Sequence, residues 1–215
     1  MKFPSDFVFG VADADLQVIG EANCLQHERS EKSMWLKFGE SSGKCYENHS
    51  TASGVDRFTR WPEDVALIQS LGVSAYRTSV SMCRTLDSLG KVNAKAIRWY
   101  RDYFQALQKA NIKIAATLYH WELPEHLDAQ GGWTNRASAE ALIQHARTVY
   151  QELGDLIDTY FVLNEPWCSS ILSYYLGVHA PGHQDMTEAL LAAHNLLLAQ
   201  SEIVKFLRKA APSAN

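Results

Sequence analysis

Apolar and polar positions along this chain fall into two alternating periods. The run Phe7–Ala12 (FVFGVA) is short and apolar and predicts a strand. A long polar stretch with Gly and Ser runs from about Gly20 to Arg60 and predicts a loop. Pro62-Glu63-Asp64 predicts a helix start, because Pro suits a first turn and acidic side chains complement the dipole there. Val65, Ile68 and Leu71 continue that helix toward a stop at Gly72. Residues 74–80 (SAYRTSV) are β-branched and aromatic enough for a second strand. A helix from about Asn93 to Ala110 places Ile97, Tyr100, Phe104 and Leu107 on one stripe.

The alternation continues to the end of the chain. Ile112–Leu118 (IKIAATL) predicts a third strand, and Leu142, Ala146, Val149 and Leu153 mark a third helix. Ile157–Leu163 predicts a fourth strand. Asp185 with Glu188 resembles a capping box that opens a last helix through Leu190, Ala193, Leu197, Val204 and Leu207. Strand and helix thus recur four times, with the later strands roughly 40 residues apart, the rhythm of an α/β chain with parallel strands. Residues 1–215 read as a single domain, with no linker.

Two architectures fit four such units. A doubly wound sheet usually shows a Gly-rich first turn, and no G-x-G-x-x-G occurs here. Half of an eight-stranded barrel instead gathers its chemistry at the C-terminal ends of strands. Gln17, Arg77, His120-Trp121 and Asn164-Glu165 fall at or near those ends, which favours the half-barrel.

Composition narrows the function. With 215 residues, 47% hydrophobic and 11% aromatic, the chain supports one sizeable core and is not disordered. Its 20 Lys+Arg against 24 Asp+Glu give a net charge of -4, with no basic patch for nucleic acid. No run is apolar enough to span a bilayer, and MKFPSDFVFG lacks a secretory h-region. Cys24, Cys45, Cys83 and Cys168 form no C-x-x-C pair, so free thiols and a cytoplasmic location are expected.

Asn164-Glu165-Pro166 closes an apolar strand. A carboxyl at such an exit, partly out of water, suits a general acid. Pro166 biases Glu165 toward an extended backbone. Asn164 can donate to and accept from a sugar hydroxyl. By itself the triplet also fits a solvated loop Glu ahead of a helix. The second cluster is Tyr119-His120-Trp121-Glu122-Leu123-Pro124, where an indole can cover a sugar's C–H face and an imidazole can bond its hydroxyls. By itself it also fits an aromatic lid over the core, and only the two clusters together point to a carbohydrate. No H-E-x-x-H, G-x-S-x-G or P-loop occurs, and Cys168 reads as a spectator thiol.

These residues together resemble the family 1 glycoside hydrolases, the β-glucosidase and phospho-β-glucosidase group. FPSDFVFGVADADLQVIG, DRFTRWPEDVALIQSLGVSAYRTSVS, LYHWELP, GGWTNR, VLNEP and GVHAPG follow the family's motifs in order. The resemblance implies the first four strand–helix units of a (β/α)8 TIM barrel that hydrolyses β-glycosides with retention. It implies Glu165 as general acid/base, Asn164 on the sugar 2-hydroxyl, and Gln17, His120 and Trp121 around the glycone. Arg77 would orient the nucleophile, and neither metal nor cofactor is implied. The family often has Glu at position 19, Phe at 78, Trp at 82 and Asp at 122, where this chain has Ile19, Thr78, Met82 and Glu122. The family's nucleophile lies in a second half without counterpart here, the sequence closing on Pro212–Asn215 where a fifth strand would begin. The expected partners are a β-glycoside and either a complementary C-terminal half or a second copy. The alternative is a half-barrel without turnover. Glu122 and Glu125 also follow the third strand and are the candidates for a substitute nucleophile, but their expected roles are support and a solvated turn.

Overall fold

The four apolar runs pair into one parallel sheet in the order β1-β2-β3-β4. It is seen in a computed structural model that describes residues 2–41 and 43–210. The expected end of the fourth unit at Pro212–Asn215 lies outside the described residues. The strands are β1 (Gly10–Ala12), β2 (Ala75–Ser79), β3 (Lys113–Tyr119) and β4 (Thr159–Leu163). Arg77 pairs with Ala12 on one side and Ala115 on the other, and Thr117 pairs with Phe161. The strands match the first four of the half-barrel expected from the sequence.

Three short helices follow β1: α1 (Asp15–Val18), α2 (Glu21–His27) and α3 (Met34–Glu40). The stretch expected as a loop from Gly20 to Arg60 therefore carries two helices. Their shortness hid them: each has seven residues, α2 burying Glu21 and Cys24 and α3 burying Met34, Leu36 and Phe38. The segment is tied to the exit of β3: Met34 N donates to Leu123 O and Glu125 N donates to Lys32 O, each at 2.8 Å.

The remaining helices are α4 (Arg57–Ser70), α5 (Met82–Thr85), α6 (Ala94–Lys109), α7 (Glu125–Asp128), α8 (Arg136–Leu153) and α9 (Met186–Ala210). The α4 helix begins five residues before the expected Pro62 start and holds Pro62 in its interior. Proline deprives the carbonyl four residues earlier of its partner. That carbonyl belongs to Phe58, and Trp99 Nε1 donates to it at 2.9 Å from α6. Asn93 and Asn135 cap α6 and α8 through side-chain oxygens that accept from Lys95 N and Ala137 N. At α9, Asp185 Oδ1 accepts from Thr187 N and Glu188 N. The expected return arm of the capping box is absent, because Asp185 N donates to Tyr174 O and Glu188 pairs with His183.

Side chains alternate across the sheet. On β2, Tyr76 meets Tyr103 of α6 edge-on, while Arg77 faces the other way and lies over Phe161 at 4.8 Å. The core fills the space between sheet and helices. The expected stripes of α6 and α8 are buried throughout. The α9 stripe is displaced: Ala189, Ala192, Leu196, Ala199, Ile203 and Leu207 are buried, whereas Leu190 and Leu197 are exposed. This helix is apolar on more than one side, so hydrophobicity leaves its phase open. Small Ala residues are what let it approach.

The expected first strand also shortens. Phe7, Val8 and Phe9 are exposed and precede β1, with Phe3, Phe7 and Phe9 clustered at 4.5–5.1 Å between ring centres. β1 and β4 each have a neighbour on one side only among the described residues. No described helix is long and apolar enough to cross a membrane.

Candidate active site

The strand exits of β2, β3 and β4 bring Arg77, His120, Trp121, Asn164 and Glu165 together. Arg77 reaches from mid-β2 across the sheet. Its Nε donates to Thr117 Oγ1 at 2.8 Å and one terminal nitrogen donates to Asn164 Oδ1 at 2.7 Å. That bond fixes which end of the Asn164 amide is oxygen and leaves its NH2 group pointing elsewhere. Partial burial lowers the guanidinium's proton affinity, while the carboxylate of Glu165 acts in the opposite direction.

Two residues at these exits adopt left-handed backbone: Trp121 with φ 73° and Glu165 with φ 46°. For side chains of this size such geometry costs of order 1–3 kcal/mol each and persists only when the surroundings impose it. At Trp121 they do: its carbonyl accepts from Trp35 Nε1 at 3.0 Å and its own Nε1 donates to Asn164 O at 3.2 Å. Glu165 departs from the expected extended backbone. The chain must turn at once into a π-helical segment, Cys168–Tyr175, and Cys168 N closes that turn by donating to Glu165 O at 2.9 Å. Its side chain is exposed rather than partly out of water, because it stands at the uncovered β4 side of the sheet.

His120 is half-buried, and its Nδ1 is buried with no partner among the described residues. Burial, then the charge of Arg77, pushes its imidazole down to about 4, against the pull of Glu165 and Asp13. It is therefore neutral at pH 7, with one donor and one acceptor nitrogen. His145, in the core of α8, is likewise held at about 4 by burial. Both take up a proton near pH 6.5 when unfolded. The unfolded chain thus binds more protons between about pH 4 and 6.5, so stability is full above this window and is lost as pH falls through it. Thermal midpoints measured from pH 7 to pH 4 should drop, and His120→Gln should shallow the slope. An unchanged slope in that variant would contradict the assignment to His120.

Gln17 on α1 is exposed and sits across a cavity of about 260 Å³ from Trp35 and Trp121, with Leu16, Cys45 and Thr51 in its wall. It makes no direct bond to the Arg77–Asn164 pair. Sequence reasoning missed Trp35 and His179. Trp35 stacks on Trp121 at 6.4 Å, and His179 packs on both indoles at 5.1–5.3 Å. The motif GVHAPG contained His179, but nothing in its spacing linked it to Trp121. Cys168 is more than a bystander in position: its thiol donates to Glu165 Oε2 at 3.4 Å.

Neither Glu122 nor Glu125 stands by Glu165. Glu122 is buried in a cavity with Asp15 and Glu21, and Glu125 lies 3.9 Å from Lys37. Arg77, His120, Cys168 and His179 each feel the charge of Glu165. The arrangement offers one carboxyl, a neutral imidazole, an oriented amide and an indole face. Those groups suit a polyhydroxylated ring.

The sequence profile of glycosyl hydrolase family 1 matches residues 1–215. A β-glucosidase of Agrobacterium sp. is 39% identical over 212 residues, covering 98% of this chain and 46% of that protein. The GH1 β-glucosidase of Exiguobacterium antarcticum superimposes with a TM-score of 0.95 at 39% identity, covering 100% of this chain and 47% of that one. A β-glucosidase of Thermotoga maritima in complex with noeuromycin gives 0.93 at 35% identity, covering 99% and 48%. The chain spans just under half the length of these relatives.

Proposed function

We propose that this chain, which belongs to glycosyl hydrolase family 1, supplies the acid/base carboxyl and most of the glycone subsite of a retaining β-glucosidase. The observation that carries this reading is the bond from Arg77 to Asn164, which ties the middle of β2 to the exit of β4 beside Glu165. In the proposed reaction Glu165 protonates the departing glycosidic oxygen and then takes a proton from the attacking water. Its exposed side chain would be covered once the barrel is complete. Asn164 donates through its free NH2 to the sugar 2-hydroxyl, while Trp121 lies against the ring's C–H face and Gln17 and neutral His120 bond its hydroxyls. Arg77 holds Asn164 and faces the place where the nucleophile must stand.

Retention requires a second carboxyl about 5–5.5 Å from the first. We place it outside residues 1–215, on a complementary C-terminal half or a second copy, for which the one-sided pairing of β1 and β4 leaves room. The single domain over 1–215 is then one half of a barrel. The four unpaired cysteines suit a reducing cytoplasm.

The role of Asn164 has a direct test in the chain completed by a family C-terminal half. Asn164→Ala should lower kcat/KM on an aryl β-glucoside by about 1–3 kcal/mol, roughly ten- to hundred-fold. On the matching 2-deoxyglucoside that penalty should vanish, since no 2-hydroxyl remains to be bonded. Equal losses on both substrates would remove Asn164 from the sugar's 2-position.

A further inference from the structure

Beneath the candidate site the chain encloses a cavity of about 10 Å³, bounded by Asp15, Glu21, Ser30, Ser81, Arg84 and Glu122 among others. Buried polar atoms in folded proteins nearly always find partners, so those without one call for explanation. Seven buried side-chain atoms lack a partner among the described residues, and three of them, Ser30 Oγ, Ser81 Oγ and Glu122 Oε1, belong to the wall of this one cavity. Ser81 and Glu122 are only 1% and 5% exposed, so bulk water does not reach them. The neighbouring groups are already engaged. Asp15 accepts from Arg84 and from Tyr100 at 2.9 Å, and Glu21 accepts from Ser33 N, Ser33 Oγ and Thr51 Oγ1.

We propose that this cavity is a binding site for a single internal water, held by the carboxyl of Glu122 and the hydroxyls of Ser81 and Ser30. The volume matches one water molecule, and a water needs the two to four polar partners that these atoms provide. The site joins three parts of the chain: Ser81 follows β2, Glu122 follows β3 next to Trp121, and Ser30 lies between α2 and α3. The water thereby bridges two strand exits and the segment packed beneath them.

Three free oxygens suit a water, which needs two to four polar partners. Arg84 is the cation of this cluster, and it is shared between Asp15 and Glu28. A further buried carboxylate at Glu122 would have only a share of the same guanidinium. Burial, reinforced by the charges of Asp15 and Glu21, outweighs the opposing pull of the nearby Ser81 hydroxyl and of Arg84 and holds the Glu122 carboxyl well above the usual range, which favours a neutral acid with an O–H to donate. One acid proton, two hydroxyl protons and two water protons then satisfy the three orphaned atoms without added charge.

The test is a high-resolution crystal structure of the chain, grown once from sodium- and potassium-free buffer and once from rubidium chloride. The proposal expects one peak within hydrogen-bond distance of Ser30, Ser81 and Glu122 in both, with no anomalous signal from rubidium. Ser81→Ala should empty or shift the peak, and Glu122→Gln, whose amide can also donate, should keep it. Infrared difference spectra at pH 7 provide a second readout: Glu122→Gln should remove a protonated-carboxyl band and not a carboxylate band. An anomalous peak, an empty ordered cavity or the loss of a carboxylate band would each overturn the proposal.

Discussion

Glu165→Gln, in the chain completed by a family C-terminal half, is expected to lower kcat/KM on an alkyl β-glucoside by about 10²–10⁴-fold. The substitution keeps the size of the side chain and removes only its ability to give and take a proton. The Arg77–Asn164 bond does not involve the carboxyl, so the binding face should survive. The loss should depend on the leaving group. An alkoxide needs protonation as it departs, whereas a dinitrophenolate leaves unaided. Glycosylation from the dinitrophenyl glucoside should therefore be far less impaired, leaving the second step slow. A loss of equal size on both substrates would assign Glu165 to binding or structure instead of proton transfer.

Arg84→Met is expected to destabilise the chain by about 3–5 kcal/mol in urea unfolding. The Arg84 side chain is 3% exposed and grips Glu28 through two bonds of 2.9 Å, with Asp15 on its other terminal nitrogen at 3.1 Å. It also lies over the rings of Trp99 and Tyr100 at 4.3 Å. Burial opposes its charge, but Tyr100, Asp15 and Glu28 outweigh burial and keep it protonated. Methionine would fill much of the volume while leaving two carboxyls out of water with no cation. The cost comes from those stranded groups. The exposed pair Arg60–Glu63, at 2.7 Å, offers the contrast, and Arg60→Met should leave the urea midpoint almost unchanged. Similar effects at both positions would mean that water reaches the Arg84 cluster.

Much of this molecule is legible from residue order because its core obeys simple periods. The stripes Ile97-Tyr100-Phe104-Leu107 and Leu142-Ala146-Val149-Leu153 bury as their spacing requires. What spacing could not reveal depends on partners distant in sequence. Pro62 sits inside a helix because Trp99, 37 positions later, takes the carbonyl it frees. Between Gly20 and Arg60, α2 buries Glu21 and Cys24, and α3 buries Met34, Leu36 and Phe38 within seven residues, too few for a stripe to stand out. At the site, His120, Trp121, Asn164 and Glu165 could be picked out because each stands at a strand exit. The backbone turn at Glu165 and the packing of Trp35 and His179 on Trp121 are tertiary, so no local signal announced them.

Residues 1–215 are proposed to hold one of the two catalytic carboxyls that retention requires. Hydrolysis of an aryl β-glucoside by the chain alone, by the chain with a family C-terminal half, and by each with Glu165→Gln tests it most directly. The account predicts no turnover by the chain alone, turnover on complementation, and loss of that turnover with Glu165→Gln. Turnover by the chain alone that Glu165→Gln abolishes would contradict it, because a second carboxyl would then have to stand within these residues or across a pair of identical chains.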